Sequence, residues 1–346
     1  MGIFNRGTGM GPAPLDGVDL LLADLDGVVY RGPGAVAHAV DTLNAIRASG
    51  VGVGYVTNNA SRTDEQVAEH LRELGLTTQA TDVVTSPQAA LALLTERVPA
   101  GSLVLVVGGE GIVHELEAAG FRVTRSADDE PDAVVQGFAQ DVGWVHLAEA
   151  SFALVRDIPW IATNQDWTIP VARGIAPGNG TLVSAVHTAV QRLPIVAGKP
   201  ERAIFDAAVA RFGAAHPLMV GDRLDTDIKG ARAAGIPSAV VLTGIDRAKA
   251  LIAASPDERP DFILRDLRGL REPYPVVEVT SEPEHATARV GREQVSVVGV
   301  DVRIESAGRD ELDLLRAACA AIAASEKLIY ALRVPERLYS SEGDAR

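Results

Sequence analysis

The sequence predicts an α/β protein: a Rossmann-like parallel-sheet core, an inserted α/β domain, and a small α+β domain at the C-terminal end. Three observations carry that expectation. Short apolar runs alternate with helical patterns from residue 20 onward, polar residues collect where those runs end, and this grouping breaks off near residue 81 and resumes at residue 195. At 346 residues the chain has material for two domains and a smaller third.

The first run, Leu20-Leu21-Leu22-Ala23, suits a parallel strand covered on both faces, and it leads into Asp24-Leu25-Asp26-Gly27. Ligands of open α/β sheets gather beyond the carboxyl ends of the strands. Asp24 and Asp26 stand two residues apart, so an extended segment turns both carboxylates to one side, where a divalent cation or a shared proton relieves their repulsion. An Asp/Gly turn closing a strand is the plain alternative. Val36, Val40, Leu43 and Ile46 recur at helical spacing over residues 35–48, and Gly50 stops that helix. Residues 51–56 form a second strand, ending in Thr57-Asn58-Asn59, which completes a β-α-β unit. Thr63, with Gln66 three residues on, caps a helix through residue 74 that ends before Gly75.

From residue 82 the alternation restarts. It gives a helix at 87–97, a strand at 103–107, a helix at 112–119, strands at 133–136 and 160–162 with a helix at 145–155 between them, a Pro/Gly-dense loop at 165–180 and a helix at 182–192. Residues 82–194 are read as the insertion, because the chain from residue 195 resumes the earlier chemistry, and residues 17–81 and 195–272 as the core. Ile195-Val196-Ala197-Gly198-Lys199-Pro200 precedes a helix at 202–212, a strand at 218–220, and Gly221-Asp222-Arg223-Leu224-Asp225-Thr226-Asp227; a helix to 234 and a strand at 238–242 come next. Residues 273–346 differ in kind, with strands at 274–279, 294–304 and 328–332 and a helix at 310–324 that puts Leu312, Leu315, Cys319 and Ile322 on one face. Residues 1–16 read as a loose tail and those after 337 as a frayed one.

Composition narrows the function. A net charge of −14 argues against a nucleic-acid surface and against an anionic membrane, but not against a small anionic substrate, for which one local cation site suffices. Cys319 is the single cysteine, so no intrachain disulfide forms and a reducing cytoplasm is expected. No apolar run reaches the ~18 residues that a membrane span needs, and the first residues lack the apolar centre of a signal peptide.

The four strand ends together supply the parts of phosphoryl transfer. Asp24 is the candidate nucleophile, forming an aspartyl-phosphate, and Asp26 the acid that protonates the leaving alkoxide and then the base for water. Mg2+ would be held by Asp24, Asp222 and the main-chain carbonyl of Asp26. The Thr57 hydroxyl, the neighbouring amides of Asn58 and Asn59 and the Lys199 ammonium would bind the phosphoryl oxygens, with Asp227 orienting Lys199 or the metal's surroundings.

At these residues the chain resembles the haloacid dehalogenase superfamily of phosphatases. Asp24-Leu25-Asp26-Gly27 matches its first motif, Thr57-Asn58 its second, Lys199 its third, and Gly221-Asp222 with Asp227 its fourth, in that order. A large insertion between the second and third motifs, called a cap, resembles the branch of 4-nitrophenylphosphatases, phosphoglycolate phosphatases and pyridoxal phosphatases. Gly108-Gly109-Glu110-Gly111, Ala162-Thr163-Asn164-Gln165-Asp166 and Pro177-Gly178-Asn179-Gly180 are similar to segments of that cap. Residues 273–346 resemble part of an acetyltransferase-like domain appended to such phosphatases in mycobacteria and their relatives. The whole arrangement resembles the glycerol 3-phosphate phosphatases of that group, implying glycerol 3-phosphate as substrate, with 2-phosphoglycolate and pyridoxal phosphate behind it.

Other positions stay open. His146, Asp166 and Arg173 are candidates for substrate contact from the cap, or parts of its architecture; Trp144 and His146 depart from the family pattern, which has Tyr and Lys there. Gly108 to Gly111 lacks the Gly-x-Gly-x-x-Gly spacing of a dinucleotide loop and reads as a tight turn. The junction Ile304 to Asp310 lacks the pyrophosphate loop of acetyltransferases, so acetyl-CoA is not expected. A homodimer through the cap is a possible assembly. A scaffold that kept the fold without the chemistry is the distant rival, against which both Asp24 and Asp26 speak.

Overall fold

In the computed structural model, which describes residues 9–171 and 173–340, strand Leu20–Ala23 is buried at every position, which is why its sequence is apolar throughout rather than alternating. The chain divides into two compact units, residues 1–51 with 216–346 and residues 52–215.

In the first unit four parallel strands lie in the order Phe262–Leu264, Ser238–Val241, Pro217–Gly221, Leu20–Ala23. Leu20 pairs with Pro217 and Ala23 with Val220, and the Asp24 N–H donates to the Val220 carbonyl at 2.9 Å, so the carboxyl ends of both strands come level. The expected helix at 35–48 is shorter, Ala39–Ala48, because Gly34 and Ala35 pair with Arg31 and Tyr30 in a small hairpin and His38 enters the helix at φ 66°.

The C-terminal region is an antiparallel meander of Val277–Glu282, His285–Val290, Glu293–Val298 and Asp301–Ser306. The single strand expected at 294–304 is two strands turning near Gly299, whose φ is 58°. His285–Val290 escaped the sequence reading because its inward residues include Ala286 and Ala288, too small to mark the alternation. The strand expected at 328–332 is a 3-10 turn, Ile329–Ala331. Helix Glu311–Ala324, capped by the Asp310 carboxylate accepting from Leu312 N–H at 2.9 Å, covers the meander. Its Leu314, Leu315, Ala318 and Ile322 join Ala288, Val290, Val295 and Val297 in a core that continues into Leu251, Ile252 and Ile263. Residues 1–8 and 341–346 of the expected tails lie outside the described residues. Residues 9–15 are tied down: Gly11 N–H donates to Tyr274 O at 2.7 Å and Leu15 N–H to Leu270 O at 3.0 Å.

In the second unit strands Gly52–Thr57 and Val83–Thr85 pair in parallel. Helix Asp64–Glu73 starts as expected, with Gln66 N–H donating to Thr63 Oγ1 and Thr63 N–H to Gln66 Oε1. A separate five-stranded parallel sheet runs Ile195–Val196, Trp160–Ala162, Ala133–Gln136, Leu103–Val107, Arg122–Thr124. The loop expected at 165–180 contains a hairpin, Thr168–Val171 with Gly174–Pro177, and the helix after it starts at Asn179 instead of 182. Among the described residues no helix is long and apolar enough to cross a membrane.

Candidate active site

In the first unit the ends of adjacent parallel strands put three acids together. Carboxylate oxygens of Asp24, Asp222 and Asp227 all lie within 4.8 Å of one another. Asp222 and Asp227 are each 1% exposed and Asp24 is half-buried. Asp227 Oδ2 accepts the N–H groups of Asp222 at 3.2 Å and Arg223 at 3.1 Å, so it braces the turn that carries Asp222. Asp222 Oδ2 accepts from Ile245 N–H at 2.7 Å. An all-oxygen donor set on rigid strand ends is the chemistry a hard divalent cation takes, and the set fits Mg2+. Asp26 stands exposed beside this group, and its side chain is not part of the three-carboxylate cluster.

Two glycines make the approach possible. A Cβ at Gly27, whose φ is 83°, would come within 2.3 Å of Asp222 Oδ2, and one at Gly244 within 1.8 Å of it. Gly244 belongs to a fifth strand-end segment that the sequence reading passed over. Thr243 Oγ1 donates to Gly27 O at 2.7 Å, Ile245 donates to Asp222, and Asp246 Oδ2 accepts from Leu224 N–H at 2.7 Å. Burial pushes the Asp246 carboxyl up, with the Leu224 N–H opposing. The sequence signal is generic: Thr243 to Asp246 is a polar, glycine-containing turn shortly after the strand Ser238–Val241, which does not by itself set it apart from other loops.

In the second unit the ends of Gly52–Thr57 and Ile195–Val196 carry the other group. Thr57 is 7% exposed, and its Oγ1 accepts from Asn59 N–H at 3.1 Å. Asn59 Oδ1 accepts from Ser61 N–H at 2.8 Å, tightening the turn. Lys199 is 3% exposed and its Nζ donates to Val56 O at 3.2 Å. Asn58 Oδ1 accepts from Lys199 N–H at 2.8 Å, and Asn58 Nδ2 donates to Lys199 O at 3.0 Å and to Asp166 Oδ1 at 3.1 Å.

The remaining candidates separate. His146 Nδ1 accepts from Gly143 N–H at 3.1 Å, closing the first turn of helix Trp144–Ala153. Arg173 is exposed at the tip of the hairpin. The Gly108 to Gly111 turn lies where the five-stranded sheet reverses its strand order, the place a nucleotide takes in sheets of this kind. Here the chain fills that place itself: a Cβ on Gly111 would come within 2.7 Å of Arg62 O and 2.9 Å of Ala60 O.

A parallel α/β sheet with a buried carboxylate cluster at its strand ends, an Asp-x-Asp leading it and a buried lysine on a separate strand end define a haloacid dehalogenase-like hydrolase, and the chain belongs to that family. Residues 21–122 match the haloacid dehalogenase-like hydrolases and residues 196–270 the HAD-hydrolase-like group. Within the family it is a phosphomonoester hydrolase. It is 46% identical over 265 residues to the D-glycerol 3-phosphate phosphatase of Mycobacterium tuberculosis, covering 77% of this chain and 74% of that protein. To the glycerol-3-phosphate phosphatase of Gallus gallus it is 38% identical over 256 residues, covering 67% of this chain and 82% of the other. The crystal structure of a glycerol phosphate phosphatase from Mycobacterium tuberculosis in complex with magnesium superposes with a TM-score of 0.82 at 42% identity, covering 92% of this chain and 94% of that one.

Proposed function

We propose that the protein is a Mg2+-dependent phosphatase that converts glycerol 3-phosphate to glycerol and phosphate, as in the recycling of glycerophospholipids. The observation that carries this reading is the cluster of half-buried Asp24 with buried Asp222 and Asp227, a set of carboxylates able to hold a cation just before Asp26 in the chain. Asp24 attacks phosphorus and becomes the aspartyl-phosphate; Asp26 gives a proton to the departing glycerol oxygen and takes one from the water that attacks next. Asp24, Asp222 and the main-chain carbonyl of Asp26 would hold the metal. When bound, Mg2+ neutralises charge on the phosphoryl group and offsets the repulsion between that group and the carboxylates. The Thr57 hydroxyl, the main-chain N–H of Asn58 and the Lys199 ammonium bind phosphoryl oxygens, with Asn59 shaping that turn through its N–H to Thr57 Oγ1, and Asp227 holds the Asp222 turn.

Residues 82–194 act as a cap that admits a short leaving group, on a core of residues 17–81 and 195–272. The 273–346 domain binds no acetyl-CoA. In support, the turn before helix Glu311–Ala324 is filled by Glu293, 4% exposed, which accepts from Arg292 N–H at 3.0 Å, and a Cβ on Gly308 would come within 2.1 Å of its Oε1. The enzyme works in the cytoplasm, forms a homodimer through its cap and has no nucleic-acid partner.

The test is kcat/KM at fixed Mg2+ for glycerol 3-phosphate, 2-phosphoglycolate and pyridoxal phosphate. Glycerol 3-phosphate is expected to lead by at least about tenfold, roughly 1.4 kcal/mol of transition-state binding. A lead for either rival, or none, reassigns the substrate; absence of phosphate release from all three removes the enzyme reading.

A further inference from the structure

We propose that Asp166 is a positioning residue that sets the backbone of Lys199 through the side chain of Asn58, and is not a substrate contact. This rests on the phosphatase reading above. Asn58 grips Lys199 at two points on one residue's main chain, accepting from its N–H at 2.8 Å and donating to its carbonyl at 3.0 Å. Those two bonds fix where the Cα–Cβ bond of Lys199 points, and hence where the ammonium can reach. The grip works for one orientation of the amide: the oxygen must face Lys199 N–H and the nitrogen must face Lys199 O.

The Asp166 carboxylate enforces that orientation, accepting from Asn58 Nδ2 at 3.1 Å through Oδ1 and 3.4 Å through Oδ2. Flipping the amide would set its oxygen against the carboxylate and against a carbonyl at once. Asp166 is itself held on both sides. Its N–H donates to Asn164 Oδ1 at 3.2 Å, and its carbonyl accepts from Gly180 N–H at 2.9 Å. Around it the chain leaves no slack, since a Cβ on Gly178 would lie 2.1 Å from Asp166 O and one on Gly180 2.4 Å from Gln165 O. Asn179 Nδ2 donates to Asn164 O at 2.8 Å, tying the loop to the start of helix Asn179–Val190. The loop and the lysine leave the sheet as neighbours because Trp160–Ala162 and Ile195–Val196 are paired strands. The segment from Asn164 to Asp166 thereby trues the phosphate-binding lysine from inside the second unit.

The experiment compares Asp166→Ala and Asp166→Asn in the full-length protein on glycerol 3-phosphate and on 4-nitrophenyl phosphate, which shares the phosphate and lacks the hydroxyls. Asp166→Ala should lower kcat about 10- to 100-fold on both substrates alike, the size of loss that small misplacement of a reacting group brings. Asp166→Asn, whose amide oxygen still accepts from Asn58, should recover most of that loss. Amide hydrogen exchange at Lys199 should quicken at least about tenfold in Asp166→Ala and stay near the native rate in Asp166→Asn. A loss confined to glycerol 3-phosphate would make Asp166 a substrate contact and overturn the inference; unchanged kcat on both would overturn it too. Should the native protein hydrolyse neither ester, the phosphatase reading falls, and the exchange rate alone then decides whether the relay exists. If Asp166→Ala does not fold, Asp166→Glu, which displaces the carboxylate by one methylene, is measured the same way with the same expectation.

Discussion

Asp222 shows how little room a buried carboxylate is given. It is 1% exposed, accepts from Ile245 N–H, and lies against two positions that tolerate no side chain, Gly27 and Gly244. The backbone at Gly27 has a positive φ as well, so substitution there confounds strain with crowding. Gly244 is the cleaner probe. In Gly244→Ala the new methyl must displace Asp222 Oδ2, which it would otherwise meet at 1.8 Å, and with it the carboxylate proposed to hold the metal. The Mg2+ concentration giving half-maximal activity should rise at least about tenfold, while kcat at saturating Mg2+ falls less, because Asp24, the proposed nucleophile, follows another strand, Leu20–Ala23. A magnesium titration of activity checks this, and an unchanged titration would show that Asp222 does not hold the metal.

Helix Glu311–Ala324 illustrates what an element owes to its packing. Its apolar face closes the meander and meets Leu251, Ile252 and Ile263, so the C-terminal region and the first unit's sheet share one core. Cys319 lies on this helix, beside a cavity of about 180 Å³ whose walls include Leu251, Ile263 and Ile322. Burial pushes its thiol up to about 12 from an ordinary value near 9. The folded-state pKa is raised, so the protonated thiol contributes stability that is complete below about pH 9 and is lost as the pH climbs towards 12. At pH 8 the thiolate that alkylating agents need is therefore scarce. Iodoacetamide should leave the native protein unlabelled over an hour at pH 8 and label it fully in urea, as mass spectrometry would read.

For the molecule as a whole, a surplus of 14 negative charges makes cation binding part of the working state. Three converging carboxylates, two of them 1% exposed, repel an anionic phosphate as well as each other until a cation joins them. EDTA should silence the enzyme and Mg2+ restore it. Calcium should inhibit, since its larger and looser coordination shell moves nucleophile and phosphate apart. Phosphate release from 4-nitrophenyl phosphate reads all three conditions in one assay, and full activity after exhaustive chelation would end the metal-dependent mechanism.

Much of this was legible in the sequence wherever the signal was local. Leu20 to Ala23 reads as a buried strand because burial on both faces demands an unbroken apolar run, and Leu103–Val107, Ala133–Gln136, Trp160–Ala162 and helix Arg202–Phe212 fall where periodicity puts them. The candidate residues of the four motifs stand out in the sequence by type and order, since phosphoryl transfer asks for a small set of residue types at strand ends. What sequence could not carry was approach through space. The strand His285–Val290 hides behind alanines whose burial comes only from the helix laid over them. The Thr243 to Asp246 turn looks like any polar loop until Ile245 N–H meets a carboxylate 23 residues earlier. Asp166 stayed undecided between substrate and scaffold because its partner, Asn58, is 108 residues away. Propensity and periodicity act over one turn or one strand, whereas a hydrogen bond between distant residues exists only once the chain has folded, and for that reason the contacts of these three segments are decided by tertiary structure alone.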